Sequence, residues 1–410
     1  MRLEVREVVV TGLGTVGAFG EGLGALAGAL GRGEPILTEV DRSGGFHLPR
    51  SARTAALATE VDLSHRVSRR DARRMSRPSR YAVAAARAAL EKARVETGDE
   101  PDPSTAVNLA TAYGPSLFTL LLLDQMIDDG PEGMSPFYFT ECVANAAASQ
   151  IAIQCRLSGP NVTICQREAG PLVAVARGAS DIRAGRVRRA LSGSAEEMPP
   201  VLHGHLDRFR ALARPSGERG ECARPFDAHR DGFLAAEGAT VLVLEDAEVA
   251  REREARALAR VAAWGGAFDP TASSVGWGDG AAVLAGALRQ TLERFDIAID
   301  GIDAIVSGAS GSRAGDRLEA RMLREIWTDV EMPPVLVPKA VTGEYGGAFV
   351  GGAIAALHGH PFGRVAALRE PDPDLGVVPH DGSTLPGIRR VLVTCLAAGG
   401  ASAWLVLECP

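Results

Sequence analysis

Short β-branched runs alternate with alanine-rich stretches of helical period along this chain, and the series runs twice. In the first series, strands are expected at 7–14, 106–113, 161–166, 190–193 and 239–244, with helices at 21–30, 79–93, 115–128, 143–157 and 169–185. The second places strands at 257–264, 302–308, 391–396 and 402–407 and helices at 280–295, 317–326 and 346–357. Strands that alternate with helices imply sheets covered on both faces, and two series of similar order imply a duplicated α/β unit. The glycines at 12 and 14 read as a tight turn after the first strand, and 40–72, 203–232 and 365–390 read as loops. Leu120–Leu123 leave helix 115–128 without a polar face across its middle, so it is expected to be buried, at a subunit contact.

The length of 410 residues exceeds what one hydrophobic core usually fills, which supports two packed halves, 1–250 and 251–410. The apolar share of 46% excludes a disordered chain, and the net charge of -7 argues against nucleic acid as the main partner. Six cysteines show no metal-ligand spacing and sit mostly in apolar runs, which reads as buried free thiols. No apolar run reaches the roughly 18 residues of a membrane span, and 8–12 is too short for a signal core, so a cytoplasmic protein is expected.

The run Gly159-Pro160-Asn161-Val162-Thr163-Ile164-Cys165-Gln166-Arg167-Glu168-Ala169-Gly170 reads as a strand turning into a helix. It resembles the nucleophile segment of the β-ketoacyl synthases, in which Gly-Pro and seven residues precede the acyl-accepting cysteine. The resemblance extends over nearly the whole chain: Val8-Val9-Val10-Thr11-Gly12-Leu13-Gly14, Arg74-Met75-Ser76-Arg77, Ser135-Pro136-Phe137, Arg224-Pro225-Phe226-Asp227, Pro338-Lys339-Ala340-Val341-Thr342-Gly343 and Gly399-Gly400. It implies a thiolase-like α/β fold, two similar halves stacked in α-β-α-β-α layers and working as a dimer.

Against that family the catalytic set departs at three positions: Glu168 stands for the cysteine, Gly308 for one histidine and Glu344 for the other. Lys339 is retained, and Ala398 replaces the gate phenylalanine before Gly399 and Gly400. Condensation needs a thiolate to carry the acyl chain and imidazoles to stabilise the enolate and oxyanion. Cys165 as nucleophile in a slipped register is disfavoured, because it falls mid-strand and no histidine follows at either expected place. Glu168-Ala169-Gly170-Pro171-Leu172-Val173-Ala174 is similar to the same segment in chain-length factors, which usually carry Gln where this chain has Glu.

That resemblance implies a non-catalytic, chain-length-determining partner of an active ketosynthase in a heterodimeric type II polyketide synthase of aromatic or polyene products. The acyl carrier protein is then the second partner, and it brings the phosphopantetheine; no cofactor or metal belongs to this chain. Matching the family's helix puts Ser116, Thr119 and Leu123 at tunnel-gate positions, on one helix face. Core or dimer packing is the plain alternative. Glu168 and Glu344 should share a pocket and raise at least one pKa, with Lys339 neutralising one of them or acting structurally. A decayed pocket is the simpler reading; an acid–base site of an independent decarboxylase, cyclase or hydrolase is the other, and a pure scaffold is a third. Arg177, Arg183, Arg186, Arg188 and Arg189 form either a carrier-docking rim or a solvated face. Asp227, His229 and Asp231 read as loop caps rather than a metal cluster.

Overall fold

The computed structural model describes residues 6–215, 220–385 and 387–410. The first series forms β1 (Val8–Gly17), β2 (Thr105–Ala110), β3 (Asn161–Ile164), β4 (Arg189–Glu196) and β5 (Gly238–Asp246). The second forms β6 (Ala259–Phe268), β7 (Ala304–Val306), β8 (Val335–Leu336), β9 (Arg390–Leu396) and β10 (Ala401–Glu408). Hydrogen bonding orders them β3-β2-β4-β5-β1 and β8-β7-β9-β10-β6. In each set the first three strands are parallel and the last two antiparallel, so the halves repeat order and direction. A short antiparallel ladder, Val9 with Arg260 and Val10 with Ala259, joins the two sets through β1 and β6.

Two helices lie between the sets and touch strands of both: Gly170–Arg183 and Ala348–Leu357. The second is buried at every position, and its mix of glycine, alanine and branched residues suits a helix with no solvent face. Helix Arg77–Lys92 covers one outer face, packing on β1, β4 and β5. Helix Ala281–Arg294 packs on the outer side of β6, and helix Arg313–Ile326 packs against that helix. This is the thiolase-like layering expected from the duplicated pattern, and Asp246 at the end of β5 caps the helix Ala247–Glu252 that links the halves.

Several expectations change. Gly12 and Gly14 are not a turn; β1 runs through them to Gly17, with a bulge after Val10. A Cβ on Gly12 would lie 2.1 Å from the carbonyl oxygen of Ala89, and one on Gly14 1.9 Å from that of Ala85. Both glycines therefore let helix Arg77–Lys92 approach the strand backbone. Residues 203–208, expected as the start of the 203–232 loop, belong instead to the helix Pro200–Arg208. The leucine helix, Ser116–Asp129, is not buried in the chain: of its apolar side chains only Phe118 and Leu122 are, and Leu123, Met126 and Ile127 are exposed. Of the six cysteines only Cys155 and Cys395 are buried. Cys165 is exposed and lies just past the end of β3, not within it.

Candidate functional site

The turn Arg167–Ala169 joins β3 to the buried helix Gly170–Arg183 and seats Glu168 at that helix's N-terminal end, 8% exposed. From the other half, the short helix Lys339–Thr342 presents Lys339, and the chain then turns sharply through Gly343, Tyr345, Gly346 and Gly347, all at positive φ. Tyr345, at φ +86°, is held there by its contacts, since a bulky residue rarely adopts this conformation. Its ring packs edge-on against Phe233 and Tyr113. Its hydroxyl meets that of Tyr113 at 2.8 Å and makes a longer 3.4 Å contact to Glu168 Oε1.

Lys339 Nζ lies 2.6 Å from Glu344 Oε1, both side chains almost wholly buried, and 4.6 Å from the centre of the Phe349 ring. It also donates to Cys395 Sγ on β9 at 3.4 Å, and that thiol donates to the Glu168 carbonyl oxygen at 2.9 Å. Burial opposes charge on Lys339, but the Glu344 carboxylate beside it holds its pKa above the ordinary lysine value. Burial pushes the Cys395 thiol up as well, so it is neutral and not a nucleophile. Glu168 is pushed up to about 7, first by burial and then by the charge of Glu344. Burial likewise raises Tyr113, to about 12, and Tyr345.

Gly308 is closed off. A Cβ there would come within 2.6 Å of the Thr394 carbonyl oxygen, 2.7 Å of Cys395 Cα and 2.8 Å of Cys395 Sγ. No imidazole fits without moving β9, so the loss is built into the backbone and not only into the side chain.

Two spaces meet Glu168. A cavity of about 700 Å³ is lined by Glu168, Tyr113, Tyr345, Arg167, Trp277 and Phe209, among others, and Ala398 forms part of its wall. A second space, about 10 Å³, is bordered by Glu168, Glu344, Ser194, Tyr345 and Arg167. Among the described residues, Glu168 Oε2, Glu344 Oε2 and Ser194 Oγ are buried without a protein partner, and all three residues border this small space.

The fold thus brings Glu168, Lys339 and Glu344 together and adds Tyr113, Tyr345 and Cys395, which sequence reasoning did not single out. Of the pocket loop, Ala398 reaches the large cavity and accepts from Arg167 Nη1 at 3.3 Å, whereas Gly399 and Gly400 border neither space. Ser116, Thr119 and Leu123 border neither space and lie on a separate helix, with Leu123 45% exposed. The basic cluster is largely committed: Arg177 and Arg186 pair with Asp181, Arg189 with Glu245, and Arg183 stacks on Phe295. Asp227 accepts from the backbone of His229, Arg369 and Glu370, as a loop cap does. No helix among the described residues is long and apolar enough to cross a membrane.

A duplicated α/β chain, with the site at the strand-to-helix turn of one half and closed by the glycine-rich turn of the other, defines a thiolase-like ketosynthase architecture. The chain belongs to the β-ketoacyl synthase family: residues 5–250 match "Beta-ketoacyl synthase, N-terminal domain". It is 27% identical to the 3-oxoacyl-[acyl-carrier-protein] synthase 2 of Vibrio cholerae, covering 98% of this chain and 99% of that one. Among solved structures it is similar to the ishigamide ketosynthase/chain length factor, with 28% identity, TM-score 0.87 and 99% of each chain covered. A type II polyketide synthase acyl-carrier protein in complex with its ketosynthase, bound to the hexaketide, has the same fold (TM-score 0.87, 21% identity, 99% and 100% covered).

Proposed function

We propose that this chain is the non-condensing, chain-length-determining subunit of a heterodimeric type II polyketide synthase. An active ketosynthase is its partner, and acyl carrier protein delivers the polyketide on its phosphopantetheine. The observation that carries this is that two positions of the site are committed to structure: Glu344 is locked to Lys339 at 2.6 Å, and the Gly308 position is filled by β9. A carboxylate at 168 cannot hold an acyl group as a stable thioester, and a carboxylate at 344 repels the negative charge that condensation develops. The thiol that contacts Glu168, Cys395, is buried and neutral.

A partner surface is also on hand. Leu123, Met126 and Ile127 of helix Ser116–Asp129, with nearby Phe139, leave apolar side chains in water. The likeness to the ishigamide ketosynthase/chain length factor supports pairing with a ketosynthase. In that pair, Ser116, Thr119 and Leu123 would set tunnel depth, and the small Ser116 would leave room at its level. The test is acyl loading followed by intact mass. Incubated with acyl-loaded carrier protein, this chain keeps its mass while an active ketosynthase gains the acyl group. An acyl adduct on this chain overturns the proposal.

A second reading, an enzyme acting alone, is favoured by one observation: the 700 Å³ cavity still reaches Glu168.

A further inference from the structure

We infer that Glu168 is the general base of a hydrolytic site within this subunit, one that cleaves apolar acyl thioesters entering the large cavity. The proposal goes beyond the non-condensing role and does not depend on pairing with a ketosynthase.

Three observations carry it. First, a cavity of about 700 Å³ lies in the size range of small-molecule sites, and Leu202, Leu206, Phe209, Phe233 and Trp277 give it apolar walls. Those apolar walls suit an acyl chain, while Arg167, His205, Arg210, Asp231 and Arg313 give the same cavity a charged rim. Second, Glu168 borders that cavity, and its Oε2 has no protein partner although the residue is more than nine-tenths buried. A buried carboxylate oxygen left unpaired is costly unless something fills its place. Third, the 10 Å³ space beside it is about the size one water occupies, and Ser194 Oγ and Glu344 Oε2 offer the further polar contacts a water needs. Glu168 therefore borders both a water site and an acyl site.

The step balances without a cofactor. The Glu168 carboxylate takes a proton from the water as the water oxygen bonds to the thioester carbonyl carbon. The negative charge that develops on the carbonyl oxygen is met by the cation of Arg167, a residue that borders both spaces. On collapse the C–S bond breaks, its electron pair leaves with sulfur, and the proton held by Glu168 passes to the thiolate. The products are a carboxylic acid and a free thiol, and nothing is oxidised or reduced.

The groups facing Glu168 set its pH response. Arg167 adjoins it, Lys339 comes from the short helix Lys339–Thr342, Glu344 and Tyr345 from the glycine-rich turn after it, Tyr113 follows β2, Glu196 borders the small space, and Cys395 reaches in from β9. A base raised to about 7 by burial and Glu344 matches a neutral operating pH. Its active form is the carboxylate, so the rate rises as pH climbs through about 7.

The experiment uses the full chain purified alone, with acetyl, hexanoyl and octanoyl thioesters of N-acetylcysteamine, and measures the free acid by mass spectrometry. The expected result at pH 8 is octanoyl hydrolysis at least tenfold above buffer, falling to the buffer rate in Glu168→Gln. Ala398→Phe, which narrows the cavity without touching Glu168, should slow octanoyl cleavage more than acetyl cleavage. Hydrolysis at the buffer rate for every thioester overturns the proposal, and so does an unchanged rate in Glu168→Gln or equal effects of Ala398→Phe on both chain lengths. Failure here leaves the pairing proposal standing, because that is read from complex formation and acyl loading.

Discussion

Replacing Glu168 by Gln should make the protein more stable in alkali, and the size of the effect follows from the site. The Glu168 carboxyl is moved from 4.5 to about 7 by burial and by Glu344. Below about 4.5 both the folded and the unfolded chain hold this proton. As pH rises the unfolded chain releases it first, while the folded chain keeps it until about 7. The stability contributed by protonated Glu168 is therefore complete in acid and lost as pH climbs through 7. The displacement corresponds to about 3 kcal/mol. Gln fills nearly the same volume and never ionises, so it escapes the loss. Equilibrium urea unfolding of both proteins between pH 5 and pH 9 measures it. The free-energy difference should move toward the variant by about 3 kcal/mol across that range, most of it before pH 7, where only the unfolded chain has released its proton. A difference that stays flat with pH would refute the argument that Glu168 is a buried carboxyl facing a second carboxylate.

Lys339→Met leaves Glu344 buried without its cation and should cost about 3–5 kcal/mol in urea unfolding, most of it recovered in the double variant Lys339→Met/Glu344→Met. Gly308→His should destabilise the chain by about 1–3 kcal/mol, because its Cβ meets β9, and the triple variant Glu168→Cys/Gly308→His/Glu344→His should still not condense malonyl and acyl carrier substrates when assayed alone. Ile127→Asp, on the most exposed apolar side chain of helix Ser116–Asp129, should weaken ketosynthase capture at least tenfold in a pull-down without changing the chain's own urea midpoint. Ser116→Phe in the assembled pair should shorten the polyketide, read by product mass; unchanged length would move Ser116 from tunnel wall to plain packing.

How much of this the sequence shows depends on which signals are local. The alternation of strands and helices is local, and both series appear in the predicted order. The departures Glu168, Gly308 and Glu344 are visible as residues, but their consequences are not. That Gly308 has no room for a side chain depends on β9, nearly ninety residues later in the chain. Cys395 sits in an ordinary apolar strand run, and nothing nearby marks it as the partner of Lys339 and the Glu168 carbonyl. Tyr345 was masked by the glycines around it, whose positive φ values it shares. Gly12 and Gly14 carry the same letters whether they make a turn or admit a helix backbone, and only the carbonyls of Ala85 and Ala89 decide between them. The leucine run at 120–123 illustrates the converse. Its apolar character was legible, but which of its side chains the chain itself buries was not: Leu122 is buried and Leu123 exposed.

Pairing with a ketosynthase is open to test by co-expression of this chain with an active type II ketosynthase. The complex is captured through a tag on this chain, weighed by native mass spectrometry and assayed for elongation on carrier-bound substrate. The expected result is a one-to-one complex that elongates only when both subunits are present. A stable homodimer that leaves the ketosynthase in the flow-through, or elongation by either subunit alone at the rate of the pair, would contradict it.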